Sequence, residues 1–358
     1  MFYHLLYPLS QEFSAFNLFR YITFRSMMAF LFAAVLSIIW GKLFINFMKR
    51  KQFGQVVRSD GPQSHLQKAG TPTMGGIVII ATILATTLLC GNFFSIPLLA
   101  TLFVMLSFFL LGFLDDYFKV LKKDSKGVSA KAKLVWQVIT AAIVSYLLIS
   151  TGVIDTEIYL PFYKGGLVDL GWFYILFSSL VIVGSSNAVN LTDGLDGLAI
   201  GPIITSSATF ALLTYIAGHK EISSYLYIPY VENIGELSIL CMAMIGAGVG
   251  FLWYNTYPAQ IFMGDVGSLS LGGVLGTIAV ISKNEFLFVI IGGVFVVEAL
   301  SVILQVGSYK LRKKRIFKMA PIHHHFELSG WPEPKVIVRF WIISIFLALV
   351  SIATIKMR

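Results

Sequence analysis

Residues 96–123 read IPLLATLFVMLSFFLLGFLDDYFKVLKK, and this stretch decides what kind of protein the chain forms. From Ile96 to Leu110 the run is almost unbroken in apolar residues, as a membrane-spanning helix requires. It then meets two adjacent aspartates, Asp115 and Asp116, followed by Lys119, Lys122 and Lys123. Carboxylates are costly near lipid, and two neighbours also repel each other. At the C-terminus of a helix the backbone dipole disfavours anions as well. Something cationic must compensate, either Lys119 at i+4 from Asp115 or a divalent metal. Adjacent helical residues point about 100° apart, so the two carboxylates are expected to do different jobs.

The whole chain follows the same pattern. Of 358 residues, 57% are hydrophobic and only 13% charged, and the mean hydropathy is +0.81. That charged fraction is about half of a soluble domain's, which excludes a soluble enzyme. Ten apolar runs are long enough to be spans: 26–48, 74–91, 96–115, 132–150, 172–190, 197–217, 236–254, 266–282, 286–308 and 336–355. None alternates with period two, so a membrane barrel is excluded. The reading is an all-α polytopic integral membrane protein of about ten transmembrane helices, with 1–358 as one catalytic domain.

Lys and Arg give the orientation. The connections 49–73, 116–133 and 309–335 hold five, six and seven of them, whereas the opposite face totals seven. Positive residues stay on the cytoplasmic side, which places both termini in the periplasm. Cys90 and Cys241 both lie in apolar runs and suggest neither a disulfide framework nor zinc. Residues 1–25 lack the pattern of a cleavable signal and resemble an aromatic-rich interfacial helix. The segment 151–171, with Gly152, Pro161, Gly165 and Gly166, is expected to form a small outer hairpin.

Five polar clusters fall on the one basic face. They are RSDGPQSHLQKAGTPTMGG (58–76), the aspartate pair, NAVNLTDGLDGLAIGP (187–202), WYNTYPAQIFMGDVGSLSLGG (253–273) and KMAPIHHHFELSGWPEPK (318–335). A lone aspartate at a helix end is usually solvated or capping, but five convergent clusters are not explained that way. Asn187 and Asn190 stand one turn apart inside a span, where polar residues line a site or pair with another helix. The Asp193–Gly197 segment resembles part of a calcium loop but lacks its distal glutamate. His323, His324 and His325 sit among prolines and a glycine, which suggests an ordered loop contacting substrate. They are too closely spaced for a zinc site. Phe262 offers a flat surface on which a base can stack, with ordinary packing as the alternative. Gly75, Gly76, Gly272 and Gly273 let helices approach closely. Glu298 is expected to face the bundle interior, with no role assigned.

Aspartates suited to Mg2+, nearby lysines and histidines, and a stacking aromatic together suggest phosphoryl chemistry on a nucleotide-bearing substrate. No Walker or kinase signature is present. DGPQSHLQKAGTPTMGG, FLDDYFK, NAVNLTDGLDGLA, FMGDVGSL and APIHHHFE resemble, in order and over nearly the whole chain, the phospho-N-acetylmuramoyl-pentapeptide transferases. The resemblance implies transfer of phospho-MurNAc-pentapeptide from UDP-MurNAc-pentapeptide to undecaprenyl phosphate, giving lipid I and UMP with Mg2+ as cofactor. It implies Asp265 as main magnesium ligand, Asp115 as activator of the lipid phosphate, and Asp116 in support. Phe262 would stack on uracil, with Lys68, Asn255 and Asp196 near the nucleoside. Thr73, Asn190 and Asp193 would contact the adjoining sugar and phosphates. Lys119 and Lys131 would offset pyrophosphate charge, and Gln305, His323 and His324 would reach the sugar-peptide part. A homodimer in the bacterial inner membrane, with a cytoplasmic active-site cleft and no nucleic-acid partner, is the family expectation. Two alternatives stay open: a sister transferase acting on UDP-GlcNAc, and an ion-coupled transporter. The transporter requires polar groups near the midplane, where only Glu298 looks deep.

Overall fold

The computed structural model describes residues 1–51, 70–122, 127–163 and 165–357. Lys68 therefore lies outside the described residues. Among these the chain is helical apart from one small hairpin. In order the helices are α1 (Phe2–Leu5), α2 (Ile22–Arg50), α3 (Gly76–Cys90), α4 (Ile96–Lys122), α5 (Ala130–Ser150), α6 (Tyr174–Thr192) and α7 (Ile200–Ala217). They continue with α8 (Lys220–Leu226), α9 (Glu236–Asn255), α10 (Gly264–Ile281), α11 (Glu285–Ile291), α12 (Gly293–Arg312), α13 (Ile322–Glu327) and α14 (Glu333–Ala353). The hairpin pairs β1 (Glu157–Ile158) with β2 (Val168–Asp169), antiparallel, within the segment that its glycines and proline marked.

Nine helices among the described residues are long and apolar enough to cross a membrane. The tenth expected run, α3, is a shorter apolar helix of 15 residues, about 22 Å at 1.5 Å per residue. Two boundaries differ from the sequence reading. α4 does not stop at Asp115 but runs on to Lys122, so both aspartates sit inside the helix rather than at its end. The expected run 286–308 is interrupted at Gly292, where the backbone leaves the helical conformation between α11 and α12. Two consecutive glycines, Gly292 and Gly293, weaken the helix at that point.

α10 is the centre of the bundle, buried at every residue from Val266 to Ile281. Lipid supplies no hydrophobic force between helices, so close backbone approach and buried polar contacts must hold them. Both are present. A Cβ on Gly76 of α3 would lie 2.2 Å from the Gly267 nitrogen, and one on Gly272 would lie 2.8 Å from the Ser185 carbonyl of α6. On α4, a Cβ on Gly112 would lie 2.4 Å from the Asp265 carbonyl oxygen. Ser185 and Ser186 of α6 donate to the Gly272 and Leu269 carbonyls, and Ser270 donates to Met105. α4 and α6 are thereby clamped onto α10.

Far from the aspartates, at the start of α9, Glu236 holds a buried bidentate ion pair with Arg25 of α2, at 2.7 and 2.8 Å. The Asn92 N–H donates to the same carboxylate, and Arg25 also donates to the Cys90 carbonyl. This knot joins α2, α9 and the α3–α4 turn. Glu236→Ala strands the guanidinium and is expected to cost about 3–5 kcal/mol. Replacing both partners, Arg25→Met with Glu236→Leu, is expected to cost much less. Thermal unfolding in detergent tests this, and a single substitution no worse than the double would sink it.

Candidate active site

The close contact at Gly112 sets the site. One turn further along α4, Asp115 and Asp116 come up beside Asp265, which sits in the first turn of α10. One oxygen from each of the three carboxylates lies within 4.8 Å of the others. Asp265 is well placed for an anion, since a helix N-terminus carries partial positive charge. As their angular separation requires, the paired aspartates face different ways. Asp116 turns to α10 and accepts the Val266 N–H at 3.2 Å. Asp115, fully buried, accepts the Val128 N–H at 2.7 Å through Oδ1.

Two ammonium groups lie between the carboxylates. Lys119 Nζ is 2.6 Å from Asp115 Oδ2 and 3.2 Å from Asp265 Oδ2. Lys133 Nζ is 2.7 and 2.8 Å from the same two oxygens. The i+4 lysine foreseen as a counter-charge is thus in place. Lys133 was not foreseen. Lys131, which the resemblance implied for this role, is exposed on α5. Residues two apart on a helix point about 200° apart, so only one of the pair can face α4. Nothing in the local sequence says which.

Around this core the DGLDG loop closes the site. Asn190 of α6 donates from Nδ2 to Asp265 Oδ1 and to Ser268 Oγ, each at 2.9 Å. The Asp193 carboxyl accepts the Gly264 N–H, yet burial and then the charges of Asp265, Asp116 and Asp196 push it up to about 8. Asp115, Asp116 and Asp265 are three carboxylates against two ammonium groups, so negative charge is in excess. Asp196 Oδ2 accepts the Ala259 N–H, and Asn255 donates to the Ile261 carbonyl. Both hold the 256–262 loop that presents Phe262. Thr73 reaches the same place because Phe262 N–H bonds the Pro72 carbonyl and Gly75 N–H bonds the Phe262 carbonyl. A Cβ on Gly264 would come within 3.3 Å of Thr73 Oγ1.

The histidine segment needs correction. Residues 322–327 form the helix α13, not a loop, with Pro321 at its N-cap; proline before the first turn sets the backbone for a helix start. His323 is fully buried, with Nδ1 3.1 Å from Glu298 Oε1. His324 pairs with Glu327 at 2.7 Å. Gln305 accepts the Ile316 and Phe317 N–H groups and donates to the Phe317 carbonyl, tying down that turn.

Three clustered oxygen donors with no thiol or imidazole among them suit a hard divalent cation such as Mg2+, and the excess negative charge fits one. Carboxylates, lysines and amides thus gather at one end of an apolar helical bundle. The comparisons narrow the reading. Residues 98–283 match the model described as glycosyl transferase family 4, and residues 68–80 match phospho-N-acetylmuramoyl-pentapeptide-transferase signature 1. Proteins named phospho-N-acetylmuramoyl-pentapeptide-transferase from Citrifermentans bemidjiense and Geobacter sp. are each 58% identical over 358 residues, covering all of both chains. One of the same name from Syntrophus aciditrophicus is 55% identical over 359 residues, again end to end. The chain belongs to the phospho-N-acetylmuramoyl-pentapeptide-transferases, within glycosyl transferase family 4.

The two neighbouring lysines make a direct test. Lys133→Ala is expected to lower turnover on the order of 10²-fold, as loss of one charge-stabilising donor does. Lys131→Ala should stay within a few-fold of wild type. Equal losses at the two positions would contradict the placement of Lys133.

Proposed function

We infer that this protein transfers phospho-MurNAc-pentapeptide from UDP-MurNAc-pentapeptide to undecaprenyl phosphate, forming lipid I and releasing UMP. This is the first membrane step of peptidoglycan synthesis. The observation that carries the reading is the meeting of Asp115, Asp116 and Asp265 with Lys119 and Lys133, in a chain 58% identical end to end to proteins of that name.

The chemistry joins anion to anion. An oxygen of the lipid phosphate attacks the sugar-linked phosphorus, and the bond from that phosphorus to the UMP oxygen breaks. Lys119 and Lys133 now neutralise Asp115 and Asp265; arriving phosphates compete for both ammonium groups. Their charge then offsets repulsion between the reactants and steadies the departing UMP. Asp115, released from its lysines, becomes free to activate the lipid phosphate, with Asp116 held by α10 in support. Asp265, with Asp115 and Asp116 beside it, would hold Mg2+. When bound, Mg2+ supplies Lewis-acid stabilisation of charge on the phosphoryl oxygens. Positioning provides much of the remaining rate. We favour direct attack over an aspartyl-phosphate intermediate, because the lipid phosphate is itself a competent nucleophile.

Phe262, Asn255 and Asp196 form the nucleoside end of this reading, with Lys68 completing it from outside the described residues. Thr73, Asn190 and Asp193 serve the adjoining sugar and phosphates. Gln305, His323 and His324 serve the sugar-peptide part; of these His323 acts from a buried position. The basic connections 116–133 and 309–335 support a site on the cytoplasmic face of the inner membrane, with both termini in the periplasm. We expect, by the family resemblance, that the chain forms a homodimer.

Purified protein given UDP-MurNAc-pentapeptide, undecaprenyl phosphate and Mg2+ is expected to release UMP. EDTA should abolish release, and Asp115→Asn or Asp265→Asn should each reduce it by about 10²-fold or more. Release from UDP-GlcNAc in place of the pentapeptide substrate would assign the chain to the sister reaction. Ion flux without UMP release would replace the reading with transport.

A further inference from the structure

Glu298 has no part in the chemistry above, yet it is a carboxylate fully buried on α12. Placing a carboxylate there is costly unless something holds it. Its facing group is His323 of α13, also fully buried, with Nδ1 3.1 Å from Oε1. Neither carboxylate oxygen has a regular hydrogen bond among the described residues, and neither does either nitrogen of the ring. The carboxylate and the ring are therefore buried face to face at ion-pair distance.

The far side of the ring meets the DGLDG loop. A Cβ placed on Gly194 would lie 2.4 Å from His323 Nε2 and 2.8 Å from its Cε1. The imidazole thus fills the space a side chain at position 194 would need, one residue from Asp193. The same loop is gripped twice more from α14. Glu333 Oε1 accepts the Asp196 N–H at 3.0 Å, and Trp341 Nε1 donates to the Gly197 carbonyl at 3.1 Å. The loop between α6 and α7 is set from outside by three side chains, and His323 is the one nearest Asp193.

We propose that Glu298 is a positioning residue: its buried carboxylate holds His323 through Nδ1, so that the ring braces Gly194 and fixes the Asp193–Asp196 loop. A carboxylate beside one ring nitrogen fixes the orientation of the imidazole and the role of the other nitrogen. The glycine at 194 lets the loop rest on that ring at van der Waals distance. Glu298 touches no reactant and acts only through His323. The inference rests on the reading of Asp193 and Asp196 as nucleotide-sugar contacts.

The test is steady-state kinetics of the full-length protein in detergent-lipid micelles, varying each substrate in turn, with thermal unfolding alongside. Glu298→Gln keeps the shape and removes the charge. It is expected to lower kcat/KM for UDP-MurNAc-pentapeptide by about 10- to 100-fold, as loss of a supporting partner does. The loss should appear largely as a raised KM for that substrate, while KM for undecaprenyl phosphate stays within about twofold. Glu298→Asp, which restores the charge one methylene short, should recover part of the loss. His323→Gln combined with Glu298→Gln should be little worse than either alone. Gly194→Ala, which displaces the ring from the other side and leaves Glu298 intact, should give the same split and decides the matter if Glu298→Gln does not fold. A purely structural staple would lower kcat in step with the folded fraction and leave both KM values unchanged, and that result would overturn the proposal. So would Glu298→Gln with kinetics of the wild type. Wild-type protein that turns over neither substrate would instead overturn the functional reading, and this inference with it.

Discussion

The contact on which the site depends is a backbone one: Gly112 of α4 lies directly against the Asp265 carbonyl at the start of α10. Any side chain at position 112 would separate the two helices. Because Asp115 and Asp116 follow within one turn, that separation would also part them from Asp265. A bilayer offers no hydrophobic force to press helices together, so their spacing is set by how closely backbones pack. The same economy appears where Gly76 meets Gly267 and where Gly272 meets Ser185. α10 is buried along nearly its whole length for this reason, and its N-terminus is the fixed point around which the polar groups gather.

Electrostatics explains why that point is polar. Asp265 has the favourable end of a helix dipole; Asp115 and Asp116 do not, being in the body of α4. Their compensation comes from outside the dipole: Lys119 on the same helix, Lys133 from α5, and backbone N–H groups of Val128 and Val266. The balance is incomplete: Asp115, Asp116 and Asp265 face two ammonium groups, and burial, then the charges of Asp265, Asp116 and Asp196, raise the Asp193 carboxyl beside them. In the proposed reaction that balance lets the site take up a cation and exchange its lysines onto phosphates. Low-dielectric surroundings on one side and open connections on the other make such exchange matter more than it would in water.

A second layer lies behind the reacting groups. Asn255, Asp196, Glu333 and Trp341 spend their hydrogen bonds on the backbone of the 193–197 and 256–262 loops. Gln305 does the same for the turn at 316–317. The polar residues here are therefore of two kinds: the clustered carboxylates and lysines, and those that satisfy irregular backbone.

Much of this was legible in the chain. Apolar runs long enough to span a bilayer, broken by polar clusters on one face, state the architecture because the lipid imposes length and polarity on every span. The aspartates, Lys119, Asn190 and Asp265 were legible because charge and amides at span ends have few structural uses. Three things were not legible. Proline-flanked histidines suggested a loop, but Pro321 starts a helix, since the same residue that ends one helix can begin another. Lys131 and Lys133 are equivalent by composition, and only the rotation of α5 against α4 chose between them. Glu298 was recognisable as a buried acid, but its partner lies on α13, beyond any local pattern. Sequence alone determined which residues must avoid lipid, because solvation acts on each residue separately. Tertiary structure decided which of them meet, because that depends on helix rotation and backbone spacing, which belong to pairs of helices and to no single one.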